Sequence, residues 1–229
     1  MKQKLTILFD LDGTLVDTAP DLVNAHRHVM KKFGFATKAA EDIKKLVGKG
    51  AKSLIYNSIY DPIKGKDEIF TDEKTKEEMV KEYLDYYGKN INIESKLIEG
   101  VTSFLDWCKS NSLSMGVCTN KQEHLAIDLL KKIKIYDYFE YVAGSNTFDY
   151  CKPDPRHLTT VLEIMDGSIE KSIMIGDSET DANTAYNCNM KFILLEDGYT
   201  EKKVSEIHHD YLIKNFIGLD KIINKYLDD

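Results

Sequence analysis

Residues 5–9, Leu5-Thr6-Ile7-Leu8-Phe9, form an unbroken apolar and β-branched run, and directly after it the chain reads Asp10-Leu11-Asp12-Gly13-Thr14. A short run without polar alternation is the pattern of a strand covered on both faces, as in parallel sheets flanked by helices. It leaves Asp10 and Asp12 at the carboxyl end of that strand, where open α/β sheets bind their ligands. Asp and Gly are also common turn residues, so loop punctuation explains the same letters. Two acids spaced i, i+2, however, leave a strand on the same side and can share one cation or one reacting group. The first can attack a phosphorus or carbon centre, and the second can give and take a proton if its pKa is suitably tuned. The pattern points to covalent catalysis with a hard cation.

Helical spacing follows. Pro20 suits the first turn of a helix, Leu22, Ala25, Val29 and Phe33 recur along one face, and Gly34 closes it. His26 and His28, two apart, fall on different faces and are not expected to share a metal. Residues 41–47 and 52–60 read as helices separated by Val47-Gly48-Lys49-Gly50. A punctuated stretch over 61–72 precedes a charged helix over 74–87 that carries Met79, Tyr83 and Tyr86 on one side. Residues 17–95 therefore read as a helical block without strand signal, with hinges near Asp17 and at 93–100.

After Gly100 the chain alternates. A helix from residue 101 precedes strands expected at 114–118, 141–143, 172–175 and 192–195, with helices between them and a closing amphipathic helix at 217–226. The expected fold is α/β, a doubly wound, mostly parallel, Rossmann-like sheet with an inserted α-helical cap domain. Residues 1–16 and 96–229 would form the core, and 17–95 the cap.

A formal charge of −7 over 229 residues argues against nucleic acid or an anionic membrane as the principal partner. Arg27 and Arg156 are the only arginines, so anion recognition must rest on lysine and backbone N–H groups. Cys108, Cys118, Cys151 and Cys188 form no C-x-x-C pair and read as reduced, mostly buried thiols. Cys151, beside Lys152, is a candidate for a lowered pKa and oxidant sensing. Trp107 reads as packing, and His208 and His209 as a solvated loop. The apolar run before Asp10 is too short for a secretory core, and no later run reaches membrane-spanning length. These features predict a soluble, cytoplasmic protein, a monomer or homodimer, with neither nucleic acid nor membrane as partner.

Each later strand end carries a chemically useful group. Thr119 and Asn120, just before a helix, can offer a hydroxyl and N–H groups to phosphate oxygens, or serve as an N-cap pair. Lys152, before two prolines, can lay positive charge against a phosphoryl group, or be a solvated surface lysine. Asp177 can complete an oxygen shell for Mg²⁺, and for Asp181, four residues on, helix capping competes with metal binding.

Residues 10–17, Asp10-Leu11-Asp12-Gly13-Thr14-Leu15-Val16-Asp17, match letter for letter the Asp-x-Asp-Gly-Thr-Leu-x-Asp motif of the haloacid dehalogenase-like phosphatases. Thr119, Lys152 and Asp177 follow in the order and at the strand ends that this resemblance requires. It implies a phosphate-ester hydrolase in which Asp10 becomes an aspartyl-phosphate and Asp12 protonates the leaving alcohol and then activates water. Mg²⁺ would be held by Asp10, Asp177 and the backbone carbonyl of Asp12, with Asp181 nearby. Thr119, Asn120 and Lys152 would stabilise the phosphoryl oxygens. Asp12 speaks for phosphate esters over carbon–halogen bonds, and Gly176-Asp177-x-x-x-Asp181 resembles the phosphatase form of its motif more than the Glu-Asp form of sugar-phosphate mutases.

The stretch 47–54, Val47-Gly48-Lys49-Gly50-Ala51-Lys52-Ser53-Leu54, resembles the Val-Gly-x-Gly-x-x-x-Leu stretch of phosphoglycolate phosphatases. There Lys49 or Lys52 can meet a small substrate carboxylate, or be solvated lysines of a glycine-rich turn. The arginine frequent a little earlier in those proteins is absent, with Lys44 and Lys45 in its neighbourhood. The substrate expected is a small phosphorylated metabolite, 2-phosphoglycolate first. Pyrophosphatase, sugar-phosphate or nucleotide phosphatase activities are alternatives on the same machinery, and a catalytically silent phosphate-binding module is the alternative of another class.

Overall fold

β1 (Thr6–Phe9) is buried along its whole length, and its residues alternate between two apolar clusters, Ile7 and Phe9 in one and Leu8 in the other. That two-sided burial is what its uninterrupted apolar run requires. The computed structural model describes residues 4–59 and 72–227, so the punctuated stretch expected from 61, and Tyr60 before it, lie outside the described residues up to 71.

From β1 the chain passes through β2 (Val16–Asp17), α1 (Ala19–Lys32), α2 (Ala40–Lys44), a 3-10 turn (Val47–Lys49), α3 (Ala51–Ser58) and α4 (Glu73–Lys89), and returns through β3 (Lys96–Leu97). There follow α5 (Val101–Ser110), β4 (Ser114–Cys118), α6 (Glu123–Lys132), β5 (Tyr141–Ala143), α7 (Arg156–Ile164), β6 (Ser172–Gly176), α8 (Glu179–Asn187), β7 (Lys191–Leu195), β8 (Tyr211–Ile213) and α9 (Leu219–Leu227). Six strands form one sheet in the order β5-β4-β1-β6-β7-β8, with every neighbouring pair parallel. Apolar residues of α5, α6 and α9 share the cluster of Ile7 and Phe9, and those of α7 and α8 share that of Leu8. Helices thus cover both faces of a Rossmann-like α/β sheet.

β8 has no counterpart among the expected strands. It is a three-residue edge strand in which only Ile213 is buried and Leu212 is exposed, too short and too open to carry a periodic signal. β2 and β3 are likewise unannounced. They pair antiparallel, Val16 with Leu97 and Asp17 with Lys96, and join both chain crossings into one ribbon. The helix expected over 41–47 ends early: α2 stops at Lys44, and the 3-10 turn closes on Gly50, whose φ of +84° suits glycine.

The buried stripe of α4 is Met79, Tyr83 and Tyr87, at i, i+4 and i+8, while Tyr86 is half-buried and stacks on His28. His26 pairs with Ser58 at 2.8 Å and His28 with Glu82 at 2.8 Å, so the two histidines diverge as their spacing predicts. Trp107 packs partly buried against the core. All four cysteines are free thiols, and burial raises the Cys151 thiol despite Lys152, the opposite of the activation that its neighbour suggested. His208 is exposed, and His209 is half-buried with its ring bonded to the Ile207 carbonyl.

Asp21, buried in the first turn of α1, holds the chain where it returns from α4. Its carboxylate accepts from the backbone N–H groups of Ile93 (3.1 Å), Glu94 (2.9 Å) and Ser95 (3.0 Å) and from the Ser95 hydroxyl (2.5 Å). Asp21→Ala strands those donors, and urea denaturation is expected to show a loss of ~2–4 kcal/mol.

Candidate active site

β1 is the strand at which the sheet's winding reverses: the chain goes from it to β4 and β5 on one side, then to β6, β7 and β8 on the other. The loops after β1, β4 and β6 therefore meet at a switch point, where such sheets open a crevice. Asp10 sits at the lip of β1, its N–H bonded to the Ile175 carbonyl at 2.9 Å. Its Oδ1 lies 2.8 Å from Lys152 Nζ, an ionic contact, and receives no well-directed hydrogen bond. Lys152 Nζ also donates to Asp181 Oδ1 at 2.6 Å, and its side chain is only 2 % exposed.

Asp181 makes the bonds that a capping role calls for. Its Oδ2 accepts from Ser178 Oγ (2.7 Å) and from the N–H groups of Ser178 (3.1 Å) and Asp177 (3.3 Å), a capping box that starts α8. With Oδ1 on Lys152, both of its oxygens are engaged. Asp177 is held by Thr14 Oγ1, which donates to Oδ1 at 2.8 Å, and by the Tyr199 N–H, which donates to Oδ2 at 2.6 Å. Gly13, at φ +84°, passes so close that a Cβ there would collide with the Asp177 carboxylate.

Carboxylate oxygens of Asp10, Asp177 and Asp181 all lie within 4.8 Å of one another. Burial pushes Asp10 up to about 7, against the pull of Lys152 and with the added push of Asp181. Burial, then Asp181 and Asp10, also drive Asp177 well above the usual carboxylate range. For Lys152, burial alone would favour the neutral amine, but the carboxylates of Asp10 and Asp181 override it and hold the lysine charged. Three buried acids thus cluster with one ammonium, which pairs with two of them, Asp10 and Asp181. An oxygen-only donor set short of positive charge, with an under-bonded oxygen on Asp10, fits a hard divalent cation such as Mg²⁺.

The Asp12 side chain turns from this cluster. Its Oδ1 accepts from Thr18 Oγ1 at 2.6 Å and lies 2.9 Å from Lys121 Nζ, which in turn sits 4.4 Å from the centre of the Tyr87 ring. Thr119 is anchored by its N–H to the Ala143 carbonyl, and its hydroxyl accepts from the Lys121 N–H at 3.2 Å. Asn120 Nδ2 donates to the carbonyls of Lys152 (3.0 Å) and Gly48 (3.2 Å), so it fastens the 3-10 turn onto the lysine loop.

Asp10, Asp12 and Thr119 line a cavity of about 260 Å³ together with residues of α3 and α4. Lys49 and Lys52 both reach it. Lys49 Nζ is paired with Glu201 at 2.5 Å, and Lys52 Nζ lies 5.1 Å from the Tyr56 ring.

All nine residues singled out in the sequence therefore gather around one crevice, in two groups: the acids with Lys152, and the residues of the cavity. Thr14, Thr18, Lys121, Ser178 and Tyr199 were missed as contributors. Lys121 directly follows Thr119-Asn120 and was legible as a third group at that strand end. Tyr199 holds Asp177 through a backbone N–H, which no sequence pattern signals, while its hydroxyl donates to Asp17 and accepts from the Ala19 N–H.

A Rossmann-like α/β enzyme is the class that this fold and crevice define. The chain belongs to the haloacid dehalogenase-like hydrolases, whose family model matches residues 7–195 and so spans every acid of the cluster and Lys152. A protein from Agrobacterium fabrum named phosphoglycolate phosphatase is 33% identical over 223 residues, covering 95% of this chain and 94% of its own length. One of the same name from Caulobacter vibrioides is 33% identical over 219 residues, with 94% and 89% covered. Among solved structures, a predicted phosphoglycolate phosphatase from Haemophilus somnus shares the fold with a TM-score of 0.88, over 97% of this chain and 99% of that one, at 23% identity.

Proposed function

We propose that this hydrolase is a Mg²⁺-dependent phosphomonoester hydrolase that works through an aspartyl-phosphate on Asp10, with 2-phosphoglycolate as its substrate. The observation that carries the reading is the excess of buried carboxylate around Asp10 and Lys152, opening onto a cavity suited to a small ester. In this reading residues 1–16 and 96–229 act as the catalytic core and 17–95 as a cap. Substrate choice then belongs to the cap, whose Lys49 and Lys52 reach the cavity.

Asp10 attacks phosphorus and the bond to the leaving alcohol breaks, while Asp12 gives its proton to the departing oxygen. Asp12 next takes a proton from the water that attacks the aspartyl-phosphate, which releases inorganic phosphate and restores Asp10. Lys152 and Thr119 hold the phosphoryl oxygens, and Asn120 keeps the lysine loop in register with them. Asp181 orients Lys152 and caps α8. Asp10, Asp177 and the Asp12 carbonyl would hold Mg²⁺, which when bound offsets the negative charge of the acids and the phosphate.

Relatives named phosphoglycolate phosphatase support the choice of ester. Among the described residues no helix is long and apolar enough to cross a membrane. We place the enzyme in the cytoplasm, as a monomer or homodimer acting on a small phosphorylated metabolite.

Phosphate release from 2-phosphoglycolate, pyrophosphate, sugar phosphates and nucleotides, with and without Mg²⁺, tests the reading. Selective, Mg²⁺-dependent turnover of 2-phosphoglycolate is expected. Preference for another ester overturns the substrate, and no turnover of any ester overturns the enzyme.

Metal binding also has a signature in stability. Asp10, raised to about 7 from 3.8, binds a proton in the folded state where the unfolded chain has lost it. Between those two pH values Asp10 therefore contributes less stability to the metal-free fold as pH rises, whereas His26 and His157, both lowered to about 4 by burial, contribute more. The melting temperature of the wild type relative to that of Asp10→Asn in EDTA, a difference in which the histidines cancel, is expected to fall from pH 5 to pH 7, and saturating Mg²⁺ to flatten the fall. A relative melting temperature that climbs over that range contradicts the charge excess.

A further inference from the structure

Lys121 and Tyr87 face one another at the end of the cavity next to Asp12, and neither has a place in the chemistry described above. Lys121 Nζ lies 2.9 Å from Asp12 Oδ1 and 4.4 Å from the centre of the Tyr87 ring, with its side chain 5 % exposed. An ammonium has three donors, and Asp12, its one ion-pair partner among the described residues, takes at most one of them. Tyr87 lines the same cavity at 1 % exposure, and its hydroxyl has no hydrogen-bond partner among the described residues. A buried hydroxyl without a partner is costly, so in a native site it calls for a ligand or water that is polar.

We propose that Lys121 and the Tyr87 hydroxyl form the subsite for the carboxylate of the substrate's leaving group. The inference rests on the reading of Asp12 as the acid that protonates the leaving oxygen. In a phosphoglycolate ester the carboxylate carbon is two bonds from that oxygen, so it must lie beside whatever flanks Asp12. Lys121 is that flanking group: a cation in a largely apolar pocket whose spare donors match a carboxylate, beside a phenol that can donate one more bond. Lys49, by contrast, is half-exposed and already paired with Glu201, and Lys52 lies over Tyr56. Their charges shape the cavity mouth, whereas Lys121 sits where the leaving group departs. Tyr87 comes from α4, so the subsite is completed only when that helix lies against the loop after β4.

The test is a ratio: kcat/KM for 2-phosphoglycolate divided by kcat/KM for ethyl phosphate, which has the same leaving-group length without the carboxylate. Lys121→Met is expected to lower the ratio roughly 10- to 100-fold, the range for a lost charge-assisted bond, and Tyr87→Phe roughly 3- to 10-fold. Lys121→Arg, which keeps the charge, is expected to hold the ratio above that of Lys121→Met. Tyr87→Phe removes only a hydroxyl and preserves packing, so it reads the subsite even where Lys121→Met unsettles Asp12. Equal losses on both esters, leaving the ratio unchanged in either variant, overturn the proposal, because a structural or Asp12-directed role would act on both alike. A larger fall of the ratio in Lys49→Met or Lys52→Met overturns it as well. The wild-type ratio separates the two readings: if it shows no preference for 2-phosphoglycolate, the substrate assignment falls with the subsite, and if the preference survives Lys121→Met, the subsite alone falls.

Discussion

Asp10→Asn is expected to give a folded protein with turnover reduced by at least ~10⁴-fold, because an amide oxygen is a poor nucleophile and no neighbouring group can replace it. Phosphate release under single-turnover and steady-state conditions measures this. The same substitution removes one of the two acids that pair with Lys152 and one of the three in the cluster, while Asn keeps the shape that fits beside the Ile175 carbonyl. Burial already opposes the charge on Asp10, so the metal-free Asn variant is expected to melt at or above the wild-type temperature. Loss of activity with retained or raised stability is the combination that separates a chemical role from a structural one. A variant that turns over within tenfold of the wild type contradicts the assignment of the nucleophile.

Lys152→Met is expected to damage both activity and stability. The ammonium is the one cation that lies within ion-pair distance of Asp10 and Asp181 among the described residues. Its loss should lower kcat by roughly 10²- to 10³-fold, as for other preorganised charge-stabilising groups. The fold should lose ~3–5 kcal/mol at neutral pH, because removing one partner leaves buried charge uncompensated. The stability loss should shrink toward pH 5, where Asp10 takes up a proton, and should shrink with Mg²⁺ at pH 7. Denaturation at the two pH values, with and without Mg²⁺, measures both trends. A stability loss that is independent of pH would mean that Lys152 matters chiefly through packing.

The two substitutions also mark what the sequence revealed and what it concealed. The doubly buried β1 and the acids at its end were legible because a strand flanked on both sides cannot alternate, and its apolar run stops where solvent and ligand begin. β4, β6 and β7 share that property and were located within a residue. β8, with one buried residue, and the β2–β3 ribbon, two residues a side, have too little periodicity to be read. In the site, residue type and order pointed to Asp10, Asp12, Lys152 and Asp177. The partners of those groups were hidden, since Tyr199 acts through a backbone N–H and Thr18 through a hinge that only the fold brings back to Asp12. Asp181 was left open between two roles: its hydrogen bonds to Ser178, the Asp177 N–H and Lys152 are those of a cap that also orients the lysine, and it lies in one acidic cluster with Asp10 and Asp177. Lys121 was visible beside Thr119-Asn120 but acquires meaning only through its distances to Asp12 and Tyr87.

Covalent phosphorylation of Asp10 is the central claim, and the most direct measurement is peptide mass spectrometry of the wild-type enzyme after rapid acid quench during turnover of 2-phosphoglycolate with Mg²⁺. The account predicts a phosphoryl group on the peptide that contains Asp10, labile to base and absent from Asp10→Asn. Steady turnover with a phosphoryl group on a different residue, or with the Asp10 peptide unmodified at every quench time, would contradict it.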